Sequence, residues 1–288
     1  MINLTKSLAD GLRRKKPTHK WNTGKLHASD TSVYLDGSDG KCEKALWLRY
    51  HGKPKKPHGA GQLLMFEQGN NLEAIAIEYL RKGLPEGYHI VGEQLNVSAG
   101  LPDGMTGRLD LLISDGTDYA VIDIKTQRGA SFRYMNDKPK EMHRMQVNTY
   151  VWALEKMWNI DIKSGGILVL DREGQNFATE FWWNITTNDL AEIKMAIDYI
   201  QEIVSIPQEP QVLPPKIKIN NNKGDDSVKA DLKWQCRYCD YRNVSCDSAI
   251  PEKYDDNLGK VVGHIDDEGN FTEKYDGIGK YIKGELKL

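Results

Sequence analysis

Two strand-like runs that face each other across a tight turn constrain this chain more than any other feature in it. Residues 106–114 and 119–126 are largely apolar, and Asp115-Gly116-Thr117-Asp118 between them is turn material, so the segment predicts a β-hairpin. With Gly116-Thr117 as the central residues of a type II′ turn, positions whose numbers sum to 233 lie opposite one another. Asp110 then faces Asp123, and Lys125 lies two residues along on the same face. With Asp115-Gly116 as a type I′ turn the register moves by two, which still leaves all three on one face.

Two carboxylates about 5 Å apart at Cβ repel each other. Their neighbours Leu111, Ile113, Val121, Ile122 and Ile124 are apolar, and charge without a partner is costly there. A divalent cation between the acids removes the conflict, and hard oxygen ligands suit Mg²⁺ or Mn²⁺. Lys125 beside the ion would stabilise charge developing on a phosphate or orient an attacking water. The bland alternative is a solvent-facing edge decorated with charges, the default for an isolated D-x-K. The matched position of Asp110 and the apolar strand around Asp123 favour chemistry.

Around this hairpin the periodicity predicts a helix over 64–82, stopped by Gly83 and Pro85. Strands are expected at 89–91, 94–97, 105–114, 119–126, 166–170 and 179–185, with further helices at 139–158 and 189–203. Residues 29–48 read as short helices around a loop. Glu73, four residues after Gly69, would reach the metal if its helix packs on the sheet; a surface glutamate is the default. Gln146 and Tyr150 share a helix face at i, i+4, suited to a phosphate or a base edge, or equally to a core-rim tyrosine beside an exposed glutamine. Residues 216–231, rich in Lys, Asn and Asp, read as a mobile linker, and Asp267-Glu268-Gly269-Asn270 suggests a hairpin in the tail.

Composition narrows the setting. With 39% hydrophobic and 28% charged residues the chain is that of an ordinary globular protein. No apolar stretch approaches the ~20 residues of a membrane helix. Residues 1–16 end in Arg13-Arg14-Lys15-Lys16 without an apolar core, so no secretory signal is expected and a cytoplasmic location is. A net charge of −2 excludes a generally basic nucleic-acid binder but allows a local basic groove. No G-x-x-x-x-G-K-[ST] occurs, so the chain is not itself a helicase motor.

Gly107-Arg108-Leu109-Asp110, Asp123-Ile124-Lys125 and Gln146-x-x-x-Tyr150, in that order, resemble the PD-(D/E)XK nuclease superfamily and within it the RecB-like exonuclease branch. The resemblance implies an α/β, restriction-endonuclease-like mixed central sheet flanked by helices. It also implies Glu73, Asp110, Asp123 and the backbone carbonyl of Ile124 around one or two divalent ions, Lys125 assisting the nucleophile, and Gln146 and Tyr150 positioning DNA. Glu73 stands where that branch usually carries histidine, a departure shared by other superfamily members.

Cys236-x-x-Cys239 is followed by Cys246, and Cys42 lies far upstream. One close pair with two single ligands suits a structural zinc site poorly and an iron–sulfur cluster better; zinc stays open as the alternative. A cysteine before the nuclease core and a trio after it resemble the iron–sulfur nucleases, namely the CRISPR-associated adaptation exonucleases and the AddB nuclease domain. That likeness implies a [4Fe–4S] cluster stapling the N- and C-terminal parts through a helical and loop region. The expected organisation is a flexible basic arm over 1–28, a nuclease domain over 29–248 that includes the cysteines at 233–248, and a tail over 249–288. The expected activity is metal-dependent exonucleolytic hydrolysis of DNA ends, single-stranded in the first instance. Recombination, repair, phage DNA processing and spacer acquisition are the candidate settings, with a helicase, recombination or CRISPR-adaptation partner. The alternatives are a non-cleaving DNA-binding scaffold and a DNA endonuclease.

Overall fold

The computed structural model describes residues 24–35, 40–132, 138–209, 217–221, 227–232, 235, 238–241, 244–246, 260–261, 264–265, 271–272 and 280–282. Most of the expected arm and tail, and Cys236, lie outside them. Two compact units emerge, Met1–Gly40 with His58–Glu202, and Lys41–Pro57 with Ile203–Leu288.

The first unit is built on a five-stranded sheet whose order follows the chain: β1 His89–Asn96, β2 Arg108–Ser114, β3 Tyr119–Gln127, β4 Ser164–Asp171 and β5 Ala178–Asn184. Only β3 and β4 run parallel; the other pairs are antiparallel. The expected mixed sheet with helices on it is therefore present. Helix α1, Ala60–Gly83, covers one face. Its Ile77 packs with Leu111, Ile113, Ile122 and Ile124 in one buried cluster. Pro85 ends α1 as expected, with Leu84 forced into an extended conformation before it.

Helix α2, Glu141–Trp158, makes the parallel crossover from β3 to β4 and packs on the opposite face. It buries Met145, Val147, Tyr150, Val151, Ala153 and Leu154. A buried hydrogen bond of 3.0 Å between Thr31 and Thr149 ties the 3-10 segment Ala28–Tyr34 to α2. Helix α3, Thr187–Ser205, begins two residues before its expected start. The Thr186 hydroxyl accepts from the Asp189 amide at 3.2 Å and the Asp189 carboxylate accepts from the Thr186 amide at 2.9 Å, which is a capping box. Asp189 also takes the Arg144 guanidinium of α2.

Three expected strands change shape. Residues 89–91 and 94–97 merge into the single strand β1, which carries a bulge where the register shifts between Ile90 and Gly92. The run 105–114 breaks at Gly107, leaving Met105–Thr106 to pair in parallel with Leu26–His27. A Cβ at Gly107 would lie 2.9 Å from Val97 Cγ2, 3.0 Å from Leu101 Cδ1 and 3.4 Å from the Tyr150 ring, so only glycine lets these side chains close over the strand.

In the second unit the helix Glu43–Tyr50 buries Lys44, Leu46, Trp47 and Leu48. Trp47 Nε1 donates to the Ile206 carbonyl at 2.9 Å, and Lys44 pairs with Glu209 at 2.9 Å. The Lys56 amide donates to the Asp240 carbonyl at 2.8 Å and the Ser245 hydroxyl to the Pro54 carbonyl at 2.7 Å. The segment read as a mobile linker is corrected: Ile217–Asn221 and Ser227–Leu232 pair as antiparallel strands. Ile217 and Ile219, and Val228, Ala230 and Leu232, alternate with polar residues, a two-residue period that the Lys and Asn content of the segment masks. His264–Ile265 and Phe271–Thr272 pair on either side of the turn expected at 267–270.

Candidate active site

The hairpin ladder pairs Leu111 with Ile122, Leu112 with Val121, Ile113 with Ala120 and Ser114 with Tyr119. Each pair sums to 233, the type II′ register. Gly116 alone of the four turn residues has positive φ, +92°, which such a turn requires and a type I′ turn would not satisfy. The Asp115 carboxylate closes the turn by accepting from the Thr117 and Asp118 amides at 2.9 and 2.8 Å.

One step past Leu111 and Ile122 come Asp110 and Asp123. The Asp110 carboxylate accepts from the Ile124 amide at 2.7 Å. Asp123 is 1% exposed, and Lys125 Nζ lies 3.1 and 2.8 Å from its two oxygens, so lysine and acid share a face as expected. Lys125 also donates to Gln146 Oε1 at 3.2 Å, and Gln146 Nε2 donates to the Tyr150 hydroxyl at 2.7 Å. The structure thus brings Gln146 and Tyr150 onto Lys125 in one hydrogen-bonded line. Ile124 turns its side chain to the α1 side, into the buried cluster.

Glu73 arrives from α1 and accepts a hydrogen bond from Gln94 Nε2, whose second contact is Asp110 Oδ1 at 3.4 Å. Gln94 was not singled out by sequence reasoning. Neither was Arg108, whose charge acts on Glu73 and Tyr150. Arg108 stood inside the Gly-Arg-Leu-Asp motif, two residues before Asp110, and that was its available signal.

The electrostatics follow from three acids around one lysine. Burial, then the charges of Asp123 and Glu73, push the Asp110 carboxyl up to about 8. Burial also raises Asp123 and Glu73, against Lys125 at the first and Arg108 at the second. Burial works to lower the Lys125 ammonium, but the Asp123 charge and hydrogen bond outweigh it and the pKa rises. Burial, with Asp123 nearby, raises the Tyr150 phenol.

Carboxylates driven toward protonation are short of positive charge, and Asp123 Oδ2, although beside Lys125, is buried without an aligned donor. Glu73, Asp110 and Asp123 therefore suit a hard divalent cation by donor chemistry. Among the described residues no group of three or more His, Cys, Asp or Glu side chains stands in ligating arrangement. The oxygens of Glu73 and Asp110 are engaged by Gln94 and the Ile124 amide, and those of Asp123 face Lys125.

A mixed sheet that carries an acid pair and a lysine on adjacent strands, with a glutamate supplied by the preceding helix, is the layout of a nuclease fold. A sequence profile of the PD-(D/E)XK nuclease superfamily matches residues 40–247, and the chain belongs to that superfamily. Among solved structures, the chain is similar to an alkaline exonuclease, LHK-Exo, from Laribacter hongkongensis, at 15% identity and a TM-score of 0.47, covering 64% of this chain and 89% of that one. It is also similar to a phage-related exonuclease from Haemophilus somnus 129PT, at 14% identity and a TM-score of 0.44, covering 62% of this chain and 93% of that one. No curated protein matches the sequence. Among the described residues no helix is long and apolar enough to cross a membrane.

Proposed function

We propose that this chain is a Mg²⁺- or Mn²⁺-dependent deoxyribonuclease that hydrolyses DNA from its ends, single-stranded ends first. The observation that carries the proposal is the line Asp123–Lys125–Gln146–Tyr150 running past Asp110 and Glu73. Glu73, Asp110, Asp123 and the Ile124 carbonyl would hold the ion, which supplies Lewis-acid activation of the phosphodiester and of a water. Lys125 keeps its proton, because Asp123 raises its pKa, and so offers a fixed positive charge to the oxygens of the scissile phosphate. Gln146 Oε1 accepts a further hydrogen bond from the Lys125 ammonium. The Tyr150 phenol stays protonated through the alkaline range and fixes the Gln146 amide in turn. Tyr150 and Gln146 would set where the DNA backbone lies.

Linear, end-labelled single-stranded DNA should be degraded by the purified protein with Mg²⁺ or Mn²⁺, and a circular single strand should survive. A folded Asp110→Ala variant should be inactive. Equal activity of that variant, or a circle cut as fast as the linear substrate, refutes the assignment.

A further part of the proposal is a [4Fe–4S] cluster on Cys42, Cys236, Cys239 and Cys246, which a reducing compartment would favour over disulfides. Cys42 opens the helix Glu43–Tyr50, and its segment is joined to the neighbourhood of Cys239 and Cys246 by the Lys56–Asp240 and Pro54–Ser245 hydrogen bonds. Anaerobically purified protein should be brown, with broad absorbance around 400 nm, and Cys42→Ser should lose it. Stoichiometric zinc without iron would decide for the alternative metal.

A further inference from the structure

The side chain that faces Asp110 from β1 is chosen by the bulge. Before the bulge, β1 and β2 pair as His89 with Ser114 and Ile90 with Ile113; after it, they pair as Gly92 with Leu112, Glu93 with Leu111 and Leu95 with Leu109. Had the first register continued, Glu93 would stand opposite Asp110. The extra residue moves Gln94 into that place and turns Glu93 away to Arg81. A fourth carboxylate is thus exchanged for an amide beside Glu73, Asp110 and Asp123.

The chain gives up local comfort for this exchange. Gln94 has φ +49°, one of three described non-glycine residues with positive φ, in a region that side chains with a Cβ seldom adopt. Next to the bulge, a Cβ at Gly92 would lie 2.2 Å from Leu95 Cδ1 and 2.7 Å from its Cγ, so glycine leaves room for the Leu95 side chain as it stands. In return both contacts of Gln94 Nε2 go to acids, Glu73 on α1 and Asp110 on β2. Helix and sheet carry their carboxylates separately, and this amide spans them. Strain at a site that pairs functional groups is a recognised way of storing pre-organisation.

We infer that Gln94 is the positioning residue of the metal site, holding Glu73 against Asp110 so that both carboxylates meet one divalent cation. The inference rests on the metal-dependent reading above and deepens it. Its chemistry is electrostatic: an amide donor steadies two anionic oxygens without adding charge, where the displaced Glu93 would have added repulsion.

The test is Mn²⁺ binding to the metal-free full-length protein, followed by the loss of the free-ion EPR signal, with thermal melting in EDTA alongside. Gln94→Gly suits the left-handed backbone and removes the side chain with its amide. It should melt at or above the wild-type temperature yet bind Mn²⁺ about 10–100-fold more weakly, with kcat lowered and the KM for DNA within about twofold. Gln94→Asn also tolerates positive φ and keeps a shorter amide that spans one acid but not both; it should fall between the two proteins. If glycine unfolds the strand, the Asn variant decides the question by the same measurement. Mn²⁺ affinity within about twofold of wild type in the folded variant overturns the inference. Wild-type protein that binds no Mn²⁺, or binds it as well after Asp110→Asn, overturns the metal-dependent reading itself and the inference with it.

Discussion

Replacing Asp110 by Asn should make the metal-free protein more stable while abolishing its activity. Asn keeps the size of the side chain and an oxygen acceptor for the Ile124 amide, 2.7 Å away in the present geometry. It removes a carboxyl whose pKa is raised from 3.8 to about 8 by burial and by the charges of Asp123 and Glu73. A raised carboxyl is a liability that grows with pH: absent below the unfolded value near 4, rising between 4 and 8, and constant above. Each pKa unit corresponds to about 1.4 kcal/mol, so the ceiling is about 6 kcal/mol. At pH 7, about three units above the unfolded value, at most about 4 kcal/mol of this is expressed, and the expected gain is about 2–4 kcal/mol. In melting temperature that is about 5–15 °C for a unit of this size. Urea and thermal melts in EDTA from pH 4 to 9, wild type beside Asp110→Asn, measure it. The curves should meet near pH 4 and separate upward. A variant less stable than wild type at pH 7, or a difference that does not change with pH, would refute the electrostatic account of the site.

Lys125→Met should destabilise the metal-free protein by about 2–4 kcal/mol, since it leaves the buried Asp123 charge without its partner; adding Asp123→Asn should restore most of the loss in urea melts. Gly107→Ala should cost about 1–3 kcal/mol, because its Cβ meets Val97, Leu101 and the Tyr150 ring; denaturant midpoints would read the loss, and an unchanged midpoint would refute the close-approach argument. At Asp189, burial works against the charge, but the Thr186 and Arg144 hydrogen bonds prevail and its pKa is lowered. Its contribution is therefore present above the unfolded value near 4 and lost as pH falls through the folded one. Asp189→Ala should cost about 1–3 kcal/mol at pH 7 and progressively less in acid melts.

Much of the site was legible because its information is local. Gly116 fixes a turn, the turn fixes a register, and the register places Asp110, Asp123 and Lys125 on one face. Spacing put Gln146 and Tyr150 on a common helix face, but only the packing of α2 shows that this face meets Lys125. Gln94 was illegible because a single inserted residue around Val91 reverses which side chains of β1 face Asp110, and alternation cannot reveal an insertion that leaves both flanking runs apolar. The strands at 217–221 and 227–232 were hidden for a different reason: their apolar residues are few, and Lys, Asn and Asp between them mimic a disordered composition.

The second unit draws on two stretches of chain, Lys41–Pro57 and Ile203–Leu288, with 145 residues between Pro57 and Ile203. During synthesis at about 5–20 residues per second, the early stretch waits roughly 7–30 s before its partner leaves the ribosome. Throughout that interval the helix carrying Leu46, Trp47 and Leu48, buried in the finished fold, lacks the other half of its unit, including the Ile206 carbonyl that Trp47 bonds. Any chaperone that attends this nascent chain has an apolar foothold there, and slowing translation beyond residue 57 lengthens its tenure.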